Sequence, residues 1–435
     1  MSTPALQGSS PANESSAFTR VFRNEPAWRR LITALGAATL IGCAVRAIAK
    51  PYDDDFKLHW ETGRRFLAKE FLYTGGHDFP YPPFFGMTFA PTALLPMPIA
   101  KAAFYPVGVA ALLALLWTLR RLIRSAFSLN EKQTFWVTAI AVFLAIQFII
   151  HDQAELGLNT ALVALTWLAI YLWKQHRDLL AGVSLGVAIA IKCTPAIFLG
   201  YFLWKRQWRM VMWTTGAALL FTAAPMIWQG PTSWSMHMRN WVGTAVEGVS
   251  GSGFEANEDF RDKNMSLRPV LMRYLVRQPA GNFDPNLDPP PLDFLDLSPG
   301  VASGIVDSIL VILLAVFLWW SRGAVGARDE PRLLWELAAV GLLMVLFSPI
   351  TWGQHCVALL PACFLIAALL LLRDRFPRWI IALLSIYVFF CSLAGRDLIG
   401  RRLSLLLVSY HVTTFCIVSL FVILLAGPRL QVTRD

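Results

Sequence analysis

Apolar residues run through this chain in long blocks separated by short polar breaks. A bilayer crossing takes about 20 apolar residues, and runs of that order are expected at 31–48, 99–119, 135–150, 156–173, 210–228, 301–320, 333–350, 356–372, 379–393 and 403–425. A shorter run, 84–95, follows "YPPF" and ends in "LPMP", which predicts a half-inserted or interfacial helix. The apolar stretch 179–204 is too long for one span and short for two. Its centre reads "IKCTP", so two short helices meeting at Pro195 are predicted, with Lys192 lifted toward the far side of the membrane. After the first run, "DFKLHWETGRRFLAKEFL" has the spacing of an amphipathic helix starting near Asp55. The polar, Ser-rich stretch 1–25 is expected to be a disordered cytoplasmic N-terminus. The pattern reads as an all-α polytopic membrane protein with about 10–12 transmembrane helices plus short juxtamembrane or re-entrant helices. It forms one transmembrane domain over 26–435, with outer loops at 50–82 and 229–300.

Basic residues orient that reading. Arg20, Arg23, Arg29 and Arg30 precede the first run; Arg120, Arg121 and Arg124 follow the next full one. Lys174 with Arg177, Lys205 with Arg206 and Arg209, Arg328 with Arg332, and Arg373 with Arg375 take the same side by alternation, so the N-terminus is placed inside. The polar segments most in need of explanation then share the outer face: 50–82, 151–155, the turn at Lys192, 229–300, "SPITWGQH" and "GRDLIGRR".

Composition agrees. The chain is 56% hydrophobic and only 15% charged, against roughly 25% charged in soluble proteins. The net charge of +10 does not imply nucleic acid, because the cations cluster at the ends of apolar runs. The six Cys show no CxxC spacing, so neither a zinc site nor a disulfide framework is expected.

Several polar groups carry candidate chemistry. Asp53, Asp54 and Asp55 open the predicted amphipathic helix. They suit a solvated helix N-terminus; equally, Asp55 beside a membrane-level cavity suits a general base, with Asp54 near substrate. Asp53-x-Asp55 leaves open a weak divalent-metal site; no other cofactor is expected. Tyr81 lies in "HDFPYPPFFGMTFAP", either an interfacial hairpin or an aromatic wall for a sugar or prenyl chain. Asn159 lies about one turn inside a span, where an unpaired amide is costly. Lys192 needs an anionic partner or a wet cavity at its depth. Arg261, Asn264, Ser266 and Arg268 gather in "RDKNMSLRP", and Trp352 and His355 in the break "SPITWGQH".

In this order the motifs resemble glycosyltransferase family 87, polytopic mannosyltransferase-like enzymes of bacterial envelopes with the GT-C fold. The matching residues are "DDDF" with "HWETGRRFL", "FPYPPF", "GLN" at 157–159, "AGVSLGVAIAIKCTP", "NMSL" and "SPITWGQH". Where the family often shows Gly-Gln-x-Asn, this chain has Gly157-Leu158-Asn159; where it often has paired histidines, this chain has Gln354-His355. The resemblance implies an inverting hexosyltransferase, with mannose moved from a polyprenyl-phosphate donor to an envelope glycan or glycolipid. It implies Asp55 as general base and an active site on the periplasmic or extracellular side of a bacterial inner membrane. A transporter or flippase of lipid-linked substrates, or a non-catalytic assembly subunit, would also explain polar groups at membrane depth.

Overall fold

In the computed structural model, residues 25–50, 55–73, 81–250, 264–277 and 294–432 are described. Asp53, Asp54, Arg261 and the expected disordered stretch up to residue 24 fall outside them. Among the described residues the secondary structure is helical throughout. Residues up to Gly42 make one compact unit and Cys43–Asp435 another; the first of these holds most of the long apolar helix Glu25–Ala49.

Six described helices are long and apolar enough to cross a membrane: Pro26–Ala49, Met97–Phe127, Trp208–Gln229, Pro299–Trp320, Gly353–Leu372 and Val412–Leu430. Two expected spans form shorter helices, Asn159–Lys174 of 16 residues and Pro331–Phe347 of 17.

Two other expected runs break. Helices Glu131–Leu144 and Ile146–Ala154 meet at 68°. The Leu144 carbonyl, freed by the bend, accepts from Tyr387 Oη at 2.9 Å and Ser392 Oγ at 3.2 Å. Such side-chain satisfaction of a released carbonyl is a common cause of a kink. The run 403–425 splits into Arg401–Ser409 and Val412–Val432, because His411 sits at φ +46°, in the left-handed region where a helix cannot continue.

The segment 179–204 forms the expected pair, Asp178–Ile191 and Ala196–Trp204, with 192–195 between them. The first of these helices docks closely on Trp208–Ala223. A Cβ on Gly182 would lie 2.3 Å from the Trp213 Cβ, and one on Gly186 2.6 Å from the Ala217 Cβ. Small residues four apart let two apolar helices approach where lipid offers no hydrophobic drive.

Helix Asp55–Leu67 buries Phe56, His59, Thr62, Gly63 and Phe66, a stripe at helical spacing. It lies against Phe84–Ala93 so tightly that a Cβ on Gly63 would sit 2.4 Å from the Phe89 carbonyl oxygen.

The charged ends of the short helices sort by position. Lys205 pairs with buried Glu336 at 2.6 Å, Arg332 pairs with the same carboxylate at 2.9 Å, and Arg328 pairs with Asp178 at 2.6 Å. Asn159, Lys192 and Ser348 lie at the opposite ends of the helices that carry or flank those pairs.

Candidate functional site

The site is built where helix starts and helix breaks converge. Asp55 is the first residue of its helix, so its carboxylate faces the positive end of the helix dipole. Gln354 Nε2 donates to Asp55 Oδ2 at 2.9 Å. Oδ1 makes no hydrogen bond among the described residues. Burial pushes the Asp55 carboxyl above its ordinary value of 3.8; the Gln354 hydrogen bond and the Lys192 charge pull the other way, while Glu155 and Asp152 add to the rise.

Next to Gln354, the His355 Nε2 lies 3.2 Å from the Lys192 ammonium. Lys192 also donates to Asn159 Oδ1 at 3.3 Å. It stands 5.3 Å from the Tyr81 ring centroid, a cation–π contact. The Trp352 amide donates to His355 Nδ1 at 3.1 Å. His355 also hydrogen-bonds the Ile350 backbone, and its Nε2 is within hydrogen-bond reach of the Lys192 ammonium.

Asp152 anchors the assembly from below. It is buried; its carboxylate accepts from Asn159 Nδ2 and from the Thr160 amide, both at 2.9 Å. A Cβ on Gly157 would come within 2.0 Å of Asp152 Oδ1, which explains the glycine in "GLN". Sequence reasoning assigns no binding role to Asp152 or Gln354. Both lie in the quoted polar segments, and only the fold shows which atoms they hold.

Asn159, Lys192, Thr351 and His355 are among the polar residues lining a partly open hollow. Leu162, Trp167, Phe198 and Met344 are among its apolar lining residues. A mostly apolar pocket with a few converging polar groups is the usual form of a small-molecule site.

Sequence-selected Asp55, Tyr81, Asn159, Lys192 and His355 therefore meet, with Trp352 stacked parallel to the His355 ring at 6.4 Å. Others are engaged elsewhere. Asn264 Oδ1 accepts from the Ser266 amide at 3.0 Å, the Ser266 hydroxyl at 2.8 Å and the Thr351 amide at 2.9 Å, while Nδ2 donates to Pro349 O at 2.9 Å. Asn264 and Ser266 thus clasp the "SPITWGQH" break rather than opening onto the hollow. Arg268 reaches the next helix, pairing with Asp307 and donating to Ser303 Oγ at 2.6 Å. No cluster of three or more His, Cys, Asp or Glu side chains suited to a metal occurs among the described residues.

Residues 79–349 match the family model of glycosyltransferase family 87. The chain belongs to that family. The match covers more than half of the chain, including Tyr81, Asn159, Lys192 and Asn264. A polyprenol-phosphate-mannose-dependent alpha-(1-2)-phosphatidylinositol mannoside mannosyltransferase of Mycolicibacterium smegmatis is 25% identical over 385 residues, covering 82% of this chain and 79% of its own. A Mycobacterium tuberculosis protein of the same name is 25% identical over 344 residues, covering 73% of this chain and 71% of its own. The apo crystal structure of ArnT from Cupriavidus metallidurans overlaps 94% of this chain and 78% of that one, with a TM-score of 0.42 at 15% identity. As a family 87 member, this multi-span protein is a membrane glycosyltransferase, and its all-helical architecture is the one the family resemblance leads one to expect.

Proposed function

We propose that this glycosyltransferase moves mannose from a polyprenyl-phosphate donor to a glycolipid or glycan hydroxyl, with inversion at the anomeric carbon and Asp55 as general base. The observation that carries the reading is the juxtaposition of one carboxylate with a buried ammonium that contacts a neutral imidazole. Gln354, which donates to Asp55, is the chain neighbour of His355, whose Nε2 lies 3.2 Å from the Lys192 ammonium.

The chemistry balances on these groups. The acceptor oxygen attacks C1 of the sugar and loses its proton to Asp55 Oδ1. The bond from C1 to the phosphate oxygen breaks. The products are the new glycoside, prenyl phosphate and a protonated Asp55. Negative charge grows on the departing phosphate oxygen, to which the Lys192 ammonium, with His355 beside it, would donate. Carboxylates near the sugar favour its oxocarbenium-like transition state. The apolar lining of the hollow suits the first isoprene units.

Catalysis belongs on the outer face of a bacterial inner membrane in this reading. The site lies at helix ends opposite Lys205, Arg328 and Arg332, and positive ends lie inside. The named activity and acceptor of the mycobacterial relatives support donor and acceptor classes.

The test is direct. Purified protein in nanodiscs is incubated with radiolabelled polyprenyl-phosphate mannose and phosphatidylinositol mannosides. Label moving to the acceptor, and release of prenyl phosphate, is the expected result. Translocation of intact donor without transfer would make the protein a flippase, and neither event would make it an assembly subunit.

A further inference from the structure

We infer that Asp152 is a positioning residue for the leaving-group step: it holds the Asn159 amide with its oxygen toward Lys192, and so aims the ammonium at the departing phosphate. The inference rests on the reading of Lys192 given above.

Three helix ends meet here. Asp152 lies in the last turn of helix Ile146–Ala154, Asn159 opens helix Asn159–Lys174, and Lys192 follows helix Asp178–Ile191. Asn159 Nδ2 donates to Asp152 Oδ1 at 2.9 Å, and Lys192 Nζ donates to Asn159 Oδ1 at 3.3 Å. A lysine ammonium only donates, and an ionised carboxylate only accepts. One orientation of the amide between them satisfies both neighbours, and the structure has that one.

The carboxylate is itself fixed. Asp152 is fully buried. Its Oδ2 accepts from the Thr160 amide at 2.9 Å and from the Thr160 hydroxyl, at a helix N-terminus, where negative charge is favoured. Gly157 vacates the place that Oδ1 occupies, since a Cβ there would lie 2.0 Å from it. Capping the helix accounts for Oδ2. It does not account for Oδ1, which is turned to the Asn159 side chain.

Asn159 and Lys192 line the hollow and Asp152 does not, so Asp152 acts through them. A carboxylate touching Lys192 would pair with the charge that the phosphate needs. With one amide between, the carboxylate passes direction to the ammonium and leaves the cation for the ligand. Lys192 has three N–H bonds. Among the described residues its contacts are with Asn159 Oδ1 and, at 3.2 Å, His355 Nε2, which leaves one N–H for a phosphate oxygen.

Asp152→Asn reverses this logic. The new oxygen stays on Thr160, so the new Nδ2 faces Asn159, whose amide turns and sets its own Nδ2 against the ammonium. Adding Asn159→Asp restores the direction: one carboxylate oxygen accepts from the new Nδ2 and the other from Lys192.

The experiment uses the full-length protein in nanodiscs with phosphatidylinositol mannosides and a series of lipid mannosyl phosphates whose phosphate leaving groups differ in acidity. Wild type, Asp152→Asn, the double variant Asp152→Asn with Asn159→Asp, and Lys192→Met are compared, and each is melted. Asp152→Asn should lose roughly 10²-fold in kcat with the polyprenyl donor, and the loss should shrink as the leaving group improves, as for Lys192→Met. The double variant keeps the same set of side-chain groups and the same charge. It should melt near wild type and transfer within about tenfold of it, so it carries the test even where the single variant is unstable. The inference is overturned if Asp152→Asn transfers like wild type, if its loss is equal for every leaving group while that of Lys192→Met shrinks, or if the double variant falls to the level of Asp152→Asn or fails to fold. An equal loss for Lys192→Met across the series overturns the reading of Lys192, and this inference with it.

Discussion

Gln354 Nε2 donates to Asp55 Oδ2 at 2.9 Å, joining residues 299 apart in the chain. The bond fixes one carboxylate oxygen and leaves Oδ1 for the acceptor's proton. It also favours the charged form of a group that burial pushes the other way. A base must be ionised to work. With Asp55 raised, transfer should therefore fall off on the acid side at a pH above the 3.8 of an ordinary aspartate. Gln354→Ala removes a stabiliser of the carboxylate, so that acid limb should move to still higher pH. The plateau rate should drop roughly tenfold as Asp55 loses its fixed rotamer. A pH–rate profile of the two proteins checks both effects. An unmoved limb would separate Gln354 from the base.

Asp55→Asn keeps the size of the side chain and its place at the helix start while removing the base. Transfer should fall by about 10²–10⁴-fold, with a melting temperature close to wild type because the asparagine oxygen still accepts from Gln354. Activity within a few-fold of wild type would dismiss Asp55 as the base and move attention to Asp152 or Glu155.

Lys192→Met should lower the turnover by about 10²–10³-fold, since it removes the cation facing the departing phosphate. The loss should be smaller for donors with better leaving groups, because less charge then needs stabilising in the transition state. A leaving-group series measured on Lys192→Met and wild type tests this. An equal loss across the series would assign Lys192 to packing with Asn159 and Tyr81.

Much of this arrangement is legible in the chain because it depends on local pattern. Pro195 and the short apolar flanks predict a broken segment, and the break holds Lys192. The amphipathic stretch predicts a helix that starts at Asp55. Counting cations at span ends puts Asp55, Lys192 and His355 on one face; that they lie near one another shows only in the fold. Other features were not legible. The bend at Ala145 depends on Tyr387 and Ser392 reaching the Leu144 carbonyl across more than 240 residues. The break at His411 needs a left-handed backbone that nothing in "SYHVT" announces. The sequence marks Asn264 as a ligand only because it clusters with Arg261, Ser266 and Arg268 ahead of an amphipathic stretch. Its role as a clasp depends on the packing of helix Leu267–Leu275 beside the 348–352 break, which periodicity does not encode.

Transfer is expected to survive chelation, because the cation placed at the leaving phosphate, Lys192, is a side chain. The rate in EDTA should stay within about twofold of the rate in magnesium. Abolition by EDTA with rescue by manganese would instead favour a metal held by Asp53 and Asp55.

Asn264→Ala separates a clasp from a ligand. The side chain is 4% exposed and serves four bonds, accepting from Ser266 twice and from Thr351, and donating to Pro349 O. Truncation strands two buried amides and a carbonyl, at a cost on the order of 3 kcal/mol. The loop released by that loss carries Trp352, Gln354 and His355, so activity should fall together with the melting temperature. Lys192→Met makes the useful contrast, since it should lose activity without loss of melting temperature. If Asn264→Ala melts like wild type but fails to bind the donor, its amide touches substrate and the clasp is secondary. If it melts lower and regains activity on cooling, the clasp holds the site in shape. The second outcome is expected, because all four bonds run to the chain itself.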